Sequence, residues 1–143
     1  MERDPTRIAM VCVQNAGRSQ MATAFAERER EARELEDAVE IVSGGTHPAS
    51  SVHNVVVEAM AEKGVDLSDR TPRAISDSEL EGSDYVATMG CSTLELDADT
   101  DVRDWNLEDP HGQELERVRK IRENVRERVE ALFDELEAER NEY

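Results

Sequence analysis

Cys12 and Arg18 bracket a five-residue segment that could hold an anion. The stretch VCVQNAGRSQMA, residues 11–22, places Cys12 at the end of a short apolar run and a helix-like segment after Arg18. A strand, a glycine-containing loop and a helix direct backbone N–H groups and the positive end of a helix dipole to one point, where anions bind. Five intervening residues are enough to surround one tetrahedral oxyanion, and Arg18 offers a planar fork to two of its oxygens.

The chemistry that this segment suggests is nucleophilic attack by sulfur. The electropositive loop would favour the thiolate of Cys12, which is the nucleophilic form, and Ser19 could donate a hydrogen bond to it. The alternative is a strand-end cysteine that packs as a small apolar side chain. The position of Cys12 between a strand and a helix, with Gly17 in the loop, favours catalysis. The segment is neither a Walker A loop nor a G-x-G-x-x-G dinucleotide motif.

A second candidate element is DWNLEDP, residues 104–110. Breaking a bond to a tetrahedral centre requires an acid that protonates the departing oxygen. Pro110 keeps Asp109 out of the helical conformation, which suits a carboxylic acid presented from a loop. Asp104 and Glu108 are local alternatives for the acid, and a plain Asp-Pro turn before the last helix is the structural alternative.

Cys91, in TMGCS, follows the third predicted strand as Cys12 follows the first. In a parallel sheet both would lie at the carboxyl edge, where ligands bind. With a strand order of 2-1-3-4 the two strands are neighbours, so the sulfurs could be close; a structural cysteine is the alternative. The histidines, His47, His53 and His111, lack metal-ligand spacing, and we interpret them as surface or cap residues.

Composition narrows the class of protein. The 143 residues include 34 acids and 17 bases, of which fifteen are arginine, for a net charge of −17. Such a surface would repel nucleic acid and anionic lipid, so neither is expected as a partner. Regular apolar patterning argues against disorder, and adaptation to high salt is the other explanation of the acidity. We find no signal-peptide or membrane-span pattern and expect one cytoplasmic domain over residues 1–143.

Strands and helices alternate along the chain, which predicts a parallel sheet covered on both faces, α/β in class. One apolar stripe on the last helix comprises Leu115, Val118, Ile121, Val125, Val129, Leu132 and Leu136. A loop is expected over Leu94–Asp101. The predicted strands are Arg7–Val13, Val39–Val42, Tyr85–Met89 and Val102–Trp105. The predicted helices are Ser19 to about Leu35, Val52–Lys63 with Gly64 as its stop, and Gly112 to Ala138.

Five separated segments together resemble one known family. CVQNAGRSQMA resembles the C-x2-N-x2-R-S loop of the low-molecular-weight protein tyrosine phosphatases and of the arsenate reductases that share their fold. The segments SGGTHPASSVHNVVVEAMAEKGVDLS, SDYVATMGCS, DWNLEDP and the closing helix extend the resemblance over nearly the whole chain, the last three towards the arsenate reductase branch. The resemblance implies a three-layer α/β/α fold around a four-stranded parallel sheet of order 2-1-3-4.

The resemblance also implies roles for individual residues. Cys12 would be the nucleophile, Asp109 the general acid, Asn15 a brace of the loop and Ser19 the group that stabilises the thiolate. The side chain of Arg18 would hold the oxyanion together with the loop itself. The predicted oxyanion-binding residues are Val13, Gln14, Asn15, Ala16, Gly17, Arg18 and Ser19.

Two departures from the family pattern guide the choice of substrate. Phosphatases of this family usually carry aromatic residues after the Asp-Pro, where this chain has His111, Gly112 and Gln113. With five aromatic residues in all, a wall for phosphotyrosine is hard to assemble, although Trp105 is nearby. Thioredoxin-coupled reductases use two further cysteines a few residues apart, whereas this chain has only Cys91, so a three-cysteine relay is impossible.

The sequence therefore predicts a thiol-dependent arsenate reductase without a tightly bound cofactor or metal. The Cys12 adduct would be resolved either by Cys91, leaving a disulfide, or by an external thiol: thioredoxin, glutaredoxin or a low-molecular-weight thiol. The alternatives are a phosphatase acting on phosphotyrosine or another phosphomonoester, and a non-catalytic oxyanion-binding module. Arsenate and phosphate share charge and shape, so the loop would bind both.

Overall fold

A single parallel sheet organises the chain, and helices lie on both of its faces. The computed structural model describes residues 5–89, 101–105, 107–110 and 112–141. The predicted positions Cys91, His111 and 94–100 of the acidic loop lie outside these ranges. The strands are β1 (Thr6–Cys12), β2 (Val39–Gly45), β3 (Tyr85–Met89) and β4 (Asp101–Asp104). The helices are α1 (Arg18–Ala32), α2 (Asn54–Ala61), α3 (Asp77–Glu81) and α4 (Leu115–Asn141).

The strand order is β2-β1-β3-β4, and every neighbouring pair is parallel, which confirms the predicted 2-1-3-4 topology. β1 lies between β2 and β3, and Cys12 is in register with Gly45 on one side and Met89 on the other. The carboxyl ends of three strands therefore meet beside Cys12. In open α/β sheets this edge is where ligands bind.

Alternation along β1 divides the core between the two faces of the sheet. Ile8 and Met10 are fully buried in the larger core, which they share with α1, α2 and α4. Ala9 and Val11 point to the other face and pack with Leu80 of α3 in a smaller cluster. The predicted stripe of α4 forms part of the larger core: Leu115 is partly buried and the other six residues are buried.

β2 is longer than predicted because its glycines extend it instead of ending it. Ser43, Gly44 and Gly45 continue the parallel pairing with β1. A Cβ on Gly44 would lie 2.5 Å from the Cβ of Ile75, and one on Gly45 would lie 2.6 Å from the carbonyl oxygen of Val13. Glycine is thus required by the close approach of neighbouring backbone, not by a turn.

The short helix α3 was not predicted, although its start carries a recognisable signal. Ser76 accepts a hydrogen bond from the N–H of Glu79, and the Glu79 carboxylate accepts one from the N–H of Ser76, which is a capping box. A helix of five residues is too short to show an apolar periodicity. The S-x-x-E spacing was therefore the only local indication that a helix begins here.

The bounds of β3 are the predicted ones, and most other boundaries differ from prediction by one to a few residues. β1 ends at Cys12, which assigns Val13 to the loop, and Asp101 belongs to β4 instead of the acidic loop. α2 begins only at Asn54 because Val52 and His53 lead into it in non-helical conformation. Gly64, at φ 76°, follows α2 as the predicted stop. No helix in the described ranges combines the length and apolarity that a bilayer span requires.

Arginine–carboxylate pairs connect α2 to α4 and explain part of the preference for arginine over lysine. Glu62, just after α2, accepts hydrogen bonds from Arg119 at 2.9 Å and from Arg122 at 2.8 Å. Arg122 is buried and also donates to the carbonyl of Ala59 at 2.8 Å. One planar guanidinium can serve several acceptors in this way, which a lysine ammonium does less well.

The Glu62 cluster predicts an acid-dependent contribution to stability. The side-chain hydrogen bonds from Arg119 and Arg122 lower the pKa of Glu62 from 4.5 to about 2. Because the pKa is lower in the folded state, the cluster stabilises the fold above pH 4.5 and loses this contribution as the pH falls towards 2. We expect Glu62→Gln to lower the urea midpoint at pH 7. Between pH 4.5 and 2 the difference from the unmodified protein should shrink, and a constant difference would contradict the linkage.

Candidate active site

The loop after β1 directs its carbonyl groups away from its own centre. Five consecutive carbonyls, those of residues 12–16, accept hydrogen bonds from groups outside the loop. Because a trans peptide places N–H opposite C=O, the amides of residues 13–17 face the opposite way, towards the centre of the loop. The donors to the five carbonyls are the backbone N–H groups of Thr46, His47, Ala49 and His53 and the side-chain amide of Gln20.

A converging set of amides at the start of a helix binds anions well. α1 begins at Arg18, directly after the loop, so the positive end of its dipole faces the same centre. Cys12 lies there with 3% of its surface exposed. The sequence prediction of an oxyanion loop thus has the expected local geometry, with the segment 46–53 holding it open from outside.

Asn15 holds the shape of the loop from within. It adopts the left-handed conformation, φ 52°, which asparagine tolerates better than most residues. Its side chain is buried and fully hydrogen-bonded: Nδ2 donates to Ser19 Oγ at 2.7 Å and to Ser43 Oγ at 2.9 Å. Oδ1 accepts from the backbone N–H of Arg73 at 3.0 Å and from Gln20 Nε2 at 3.2 Å.

The Asn15 contacts decide which way the Ser19 hydroxyl points. Cys12 Sγ and Ser19 Oγ are 2.8 Å apart, and either atom could be the donor by distance alone. The Arg73 N–H can only donate, so it fixes Oδ1 of Asn15 on its own side and turns Nδ2 towards Ser19. Ser19 Oγ therefore accepts from Asn15, and its single hydrogen is available for Cys12. The Ser19 hydroxyl is thus placed to donate a hydrogen bond to Cys12 Sγ.

Arg18 occupies the wall of the loop and reaches the acid segment. Its side chain is 10% exposed, and Nη1 donates to the carbonyl of Leu107 at 3.0 Å. Nη2 lies 3.7 Å from Oδ2 of Asp109, whose side chain is 58% exposed. Arg18 thus connects the oxyanion loop to the residues that precede Pro110, and the structure brings Cys12, Arg18 and Asp109 to one place.

The two alternatives for the acid lie in other surroundings. Asp104 belongs to β4 and accepts a hydrogen bond from Thr88 Oγ1 at 3.1 Å. Glu108 pairs with Arg117 of α4, whose side-chain hydrogen bonds hold the pKa of Glu108 below its usual range. Neither residue borders the cavity beside Cys12, whereas Asp109 does.

Pro110 rests directly on the oxyanion loop. A Cβ on Gly17 would lie 2.8 Å from Cγ of Pro110 and 3.6 Å from Cδ2 of His53. Glycine at position 17 therefore allows the loop to pack closely against the acid segment. The same proline packs against Gly17, and Asp109 borders the cavity that Cys12 also borders.

A cavity of about 190 Å³ lies at the centre of this arrangement. It is smaller than the roughly 300–1,000 Å³ of ordinary small-molecule sites, which suits a small anion. A larger groove of about 660 Å³ along α1 is lined by ion-paired side chains such as Glu27 and Arg70, and none of residues 12–18 borders it. The residues lining the smaller cavity are Cys12, Val13, Gln14, Gly17, Arg18, His53 and Asp109.

His53 is the site residue that sequence analysis missed. We interpreted it as a surface or cap residue, and it does precede α2, but its side chain makes no capping hydrogen bond to the helix. Its N–H donates to the Ala16 carbonyl at 2.9 Å, and its ring borders the cavity. The available signal was its position just before the helix that follows β2, at the same sheet edge as Cys12.

The remaining predicted residues do not border the cavity or lie outside the described ranges. Asn15, Ala16 and Ser19 are buried. His47 is exposed, with Nδ1 at 3.4 Å from Thr46 Oγ1. No group of three or more His, Cys, Asp or Glu among the described residues is arranged to hold a metal ion.

Comparisons with known proteins agree over nearly the whole chain. The sequence profile of the family described as low molecular weight phosphotyrosine protein phosphatase matches residues 7–142. A Halobacterium salinarum protein named as a provisional arsenate reductase is 68% identical over 132 residues, which are 92% of this chain and 93% of that protein. The glutaredoxin arsenate reductase of Synechocystis sp. is 34% identical over 134 residues, 91% of this chain and 98% of that protein.

Similarity to a solved structure extends the comparison to the fold. The thioredoxin-dependent arsenate reductase of Corynebacterium glutamicum superposes with a TM-score of 0.79 at 31% identity. The match covers 97% of this chain and 65% of that longer chain. Sequence and fold similarity thus both connect the chain to proteins named as arsenate reductases.

Proposed function

This chain belongs to the low molecular weight phosphotyrosine protein phosphatase family, and on that premise we propose that it is a thiol-dependent arsenate reductase with Cys12 as its nucleophile. The observation that carries the proposal is the 2.8 Å contact from Ser19 Oγ to Cys12 Sγ inside a ring of inward amides. The names of its relatives from Halobacterium salinarum and Synechocystis sp. support arsenate as the substrate.

The shape of the cavity supports a small oxyanion over a phosphorylated side chain. None of its described lining residues is Phe, Tyr or Trp. Trp105, the aromatic residue considered from sequence, is 6% exposed, belongs to the larger core and hydrogen-bonds to Thr88 through its backbone. The described residues that line the cavity therefore offer no aromatic surface to grip a phenol ring, which favours a small tetrahedral anion.

The first step is attack of the Cys12 thiolate on arsenic. The Val13–Gly17 amides and Arg18 hold the oxygens of arsenate, and the α1 dipole favours their negative charge. A Cys12 S–As bond forms while one As–O bond breaks, and Asp109 supplies the proton with which that oxygen leaves as water. The 3.7 Å separation of Arg18 Nη2 from Asp109 Oδ2 places this carboxyl group next to the side chain that holds the oxyanion.

The second step reduces arsenic. A thiolate attacks the sulfur of the adduct, an S–S bond forms, and the S–As bond breaks with its electron pair on arsenic. Arsenic(V) becomes arsenic(III), arsenite leaves, and Cys12 is oxidised to a disulfide. The attacking thiolate belongs either to Cys91 or to an external thiol: thioredoxin, glutaredoxin or a low-molecular-weight thiol. Relatives named as glutaredoxin and thioredoxin-dependent arsenate reductases support an external redoxin at some stage of the cycle.

Phosphoester hydrolysis is the second candidate, because the matching family is described as a phosphatase and the loop suits any tetrahedral oxyanion. In that reaction Cys12 would form a cysteinyl-phosphate that water hydrolyses, and no thiol would be consumed. The two candidates therefore differ in their need for a reductant.

An assay on two substrates separates the candidates. We expect arsenite release from arsenate to require a thiol, tested with dithiothreitol, thioredoxin and glutaredoxin, and to exceed hydrolysis of p-nitrophenyl phosphate. The measurements should be made at low and high salt, because the net charge of −17 makes stability dependent on screening. Rapid ester hydrolysis without thiol-dependent arsenite release would instead establish the phosphatase.

The same assay without added thiol identifies the resolving group. A chain with two cysteines can supply two electrons, so Cys91 as the resolving residue gives at most one arsenite per chain, with a Cys12–Cys91 disulfide. The Cys91→Ser variant would then release none until an external thiol is added. Equal turnover of both proteins at saturating thiol would exclude a required internal disulfide.

A further inference from the structure

The segment 73–76 carries the amide that orients Asn15, and an ion pair outside the cavity holds this segment in place. Arg73 donates from Nη2 to both oxygens of Glu79 at 2.9 Å, and from Nη1 to the carbonyl of Ser43 at 2.7 Å. Glu79 also accepts from the N–H and the hydroxyl of Ser76 at 3.2 Å. The ion pair thus closes a loop of contacts between β2, the segment 73–76 and α3.

We propose that the Arg73–Glu79 pair is a positioning element for the nucleophile, acting through the backbone amide of Arg73. This inference rests on Cys12 being the nucleophile of the proposed function. Four hydrogen bonds in series connect the ion pair to the sulfur. The Arg73 guanidinium binds the Glu79 carboxylate, and the Arg73 N–H donates to Asn15 Oδ1. Asn15 Nδ2 then donates to Ser19 Oγ, whose hydroxyl contacts Cys12 Sγ.

The path has two discrete arrangements because the Asn15 side-chain amide can turn by half a rotation. With the Arg73 N–H in place, Oδ1 must face it and Nδ2 must face Ser19. If the segment 73–76 moves away, Oδ1 keeps only the longer contact with Gln20 Nε2 at 3.2 Å, and the less firmly held amide can reverse and place Oδ1 beside Ser19 Oγ. The Ser19 hydroxyl then donates to Asn15 and is lost to Cys12, so the thiolate loses its hydrogen bond.

Contacts with the end of β2 fix the position of the segment 73–76, and so the position of the Arg73 amide. The Arg73 carbonyl accepts from the N–H of Gly45 at 2.9 Å, and Ile75 donates back to the Gly45 carbonyl at 3.3 Å. Ile75 can approach Gly44 closely because glycine has no side chain. A Cβ on Gly44 would lie 2.5 Å from the Cβ of Ile75. The Arg73 amide therefore reaches Asn15 only while the segment stays against the end of β2.

The charge of the ion pair is constant over the pH range in which a thiol titrates. The side-chain hydrogen bond from Arg73 is the largest cause that lowers the pKa of Glu79. The pair consequently remains ionised above the usual carboxylate range, and a change in the pH profile of Cys12 would report the position of the segment instead of protonation of Glu79.

The test compares this pair with a matched pair elsewhere. The Arg119–Glu62 pair has similar side-chain exposure, 46% and 34% against 50% and 30% for Arg73 and Glu79, and it joins α2 to α4. In a Cys91→Ser background, which leaves Cys12 as the only thiol, the rate of alkylation by iodoacetamide is measured from pH 5 to 9. The variants are Arg73→Gln, Glu79→Gln, Arg119→Gln and Glu62→Gln.

We expect the midpoint of the alkylation profile to rise by about one pH unit in Arg73→Gln and Glu79→Gln, which makes alkylation below the midpoint about tenfold slower. Arg119→Gln and Glu62→Gln should keep the profile of the background protein. Ser76→Ala, which removes the capping hydroxyl but retains the ion pair, should also keep it. Arg73→Lys keeps the positive charge but lacks the planar guanidinium group, and it should give an intermediate midpoint.

The proposal is wrong if Glu79→Gln follows the profile of the background protein, or if Glu62→Gln shifts it equally. Should Arg73→Gln fail to fold by circular dichroism, Glu79→Gln decides alone. Alkylation requires neither arsenate nor a phosphoester, so a protein inactive on both substrates would refute the proposed function and still give this profile. A normal enzyme with unshifted profiles would refute only the positioning role.

Discussion

Replacing Cys12 with serine is expected to reduce arsenite release by about 10³-fold or more. A serine hydroxyl fits the same position but is almost entirely neutral at pH 7, and a serine–arsenate ester contains no sulfur that a thiol can attack. Both the nucleophile and the redox centre are therefore lost together. The measurement is steady-state arsenite production with saturating thiol, with p-nitrophenyl phosphate hydrolysis followed in parallel.

Phosphate binding is the control for this variant, because the anion-binding loop should remain intact. The inward amides of residues 13–17 and the Arg18 side chain do not depend on sulfur, so Cys12→Ser should bind phosphate about as tightly as the unmodified protein in calorimetry. Retained arsenite release in a folded Cys12→Ser protein would overturn the whole site. Loss of both binding and activity would show instead that the substitution damaged the loop.

The sequence predicts those site residues that lie close together along the chain. Cys12, Gly17 and Arg18 lie within seven residues between a strand and a helix, and that local order alone predicts an anion-binding loop. The parallel topology was equally accessible, because buried apolar strands alternate with helices. Asp109 was predicted from the Asp-Pro pair and the family resemblance, and the structure shows that it borders the same cavity as Cys12.

The rest of the site depends on contacts between distant segments. The backbone N–H of Arg73 is 58 residues from Asn15, and no side-chain pattern reveals where a backbone amide will donate. His53 reaches the cavity through the path of the chain after β2. Gly44 and Gly45 suggested a strand end, yet they are small because Ile75 and Val13 approach them closely. Such requirements exist only in the folded structure.

Removal of the acid should produce the second largest effect. We expect Asp109→Asn to lower kcat for arsenate by about 10²–10⁴-fold, the usual contribution of general acid catalysis. Asparagine keeps the size of the side chain and the contact of Pro110 with Gly17, but it has no proton to give to the departing oxygen. Binding should be retained, so the loss should appear in kcat, with KM nearly unchanged.

The two carboxylates considered from sequence provide matched controls for this assignment. Asp104→Asn and Glu108→Gln each remove one negative charge within five residues of Asp109, and neither side chain borders the cavity. We expect both to retain kcat within about threefold, since surface substitutions away from the site usually change free energies by less than about 0.5 kcal/mol. A loss in either variant as large as that of Asp109→Asn would transfer the acid role to that residue. If all three variants retain kcat, no carboxylate of this segment donates the proton, and the first step must draw it from solvent.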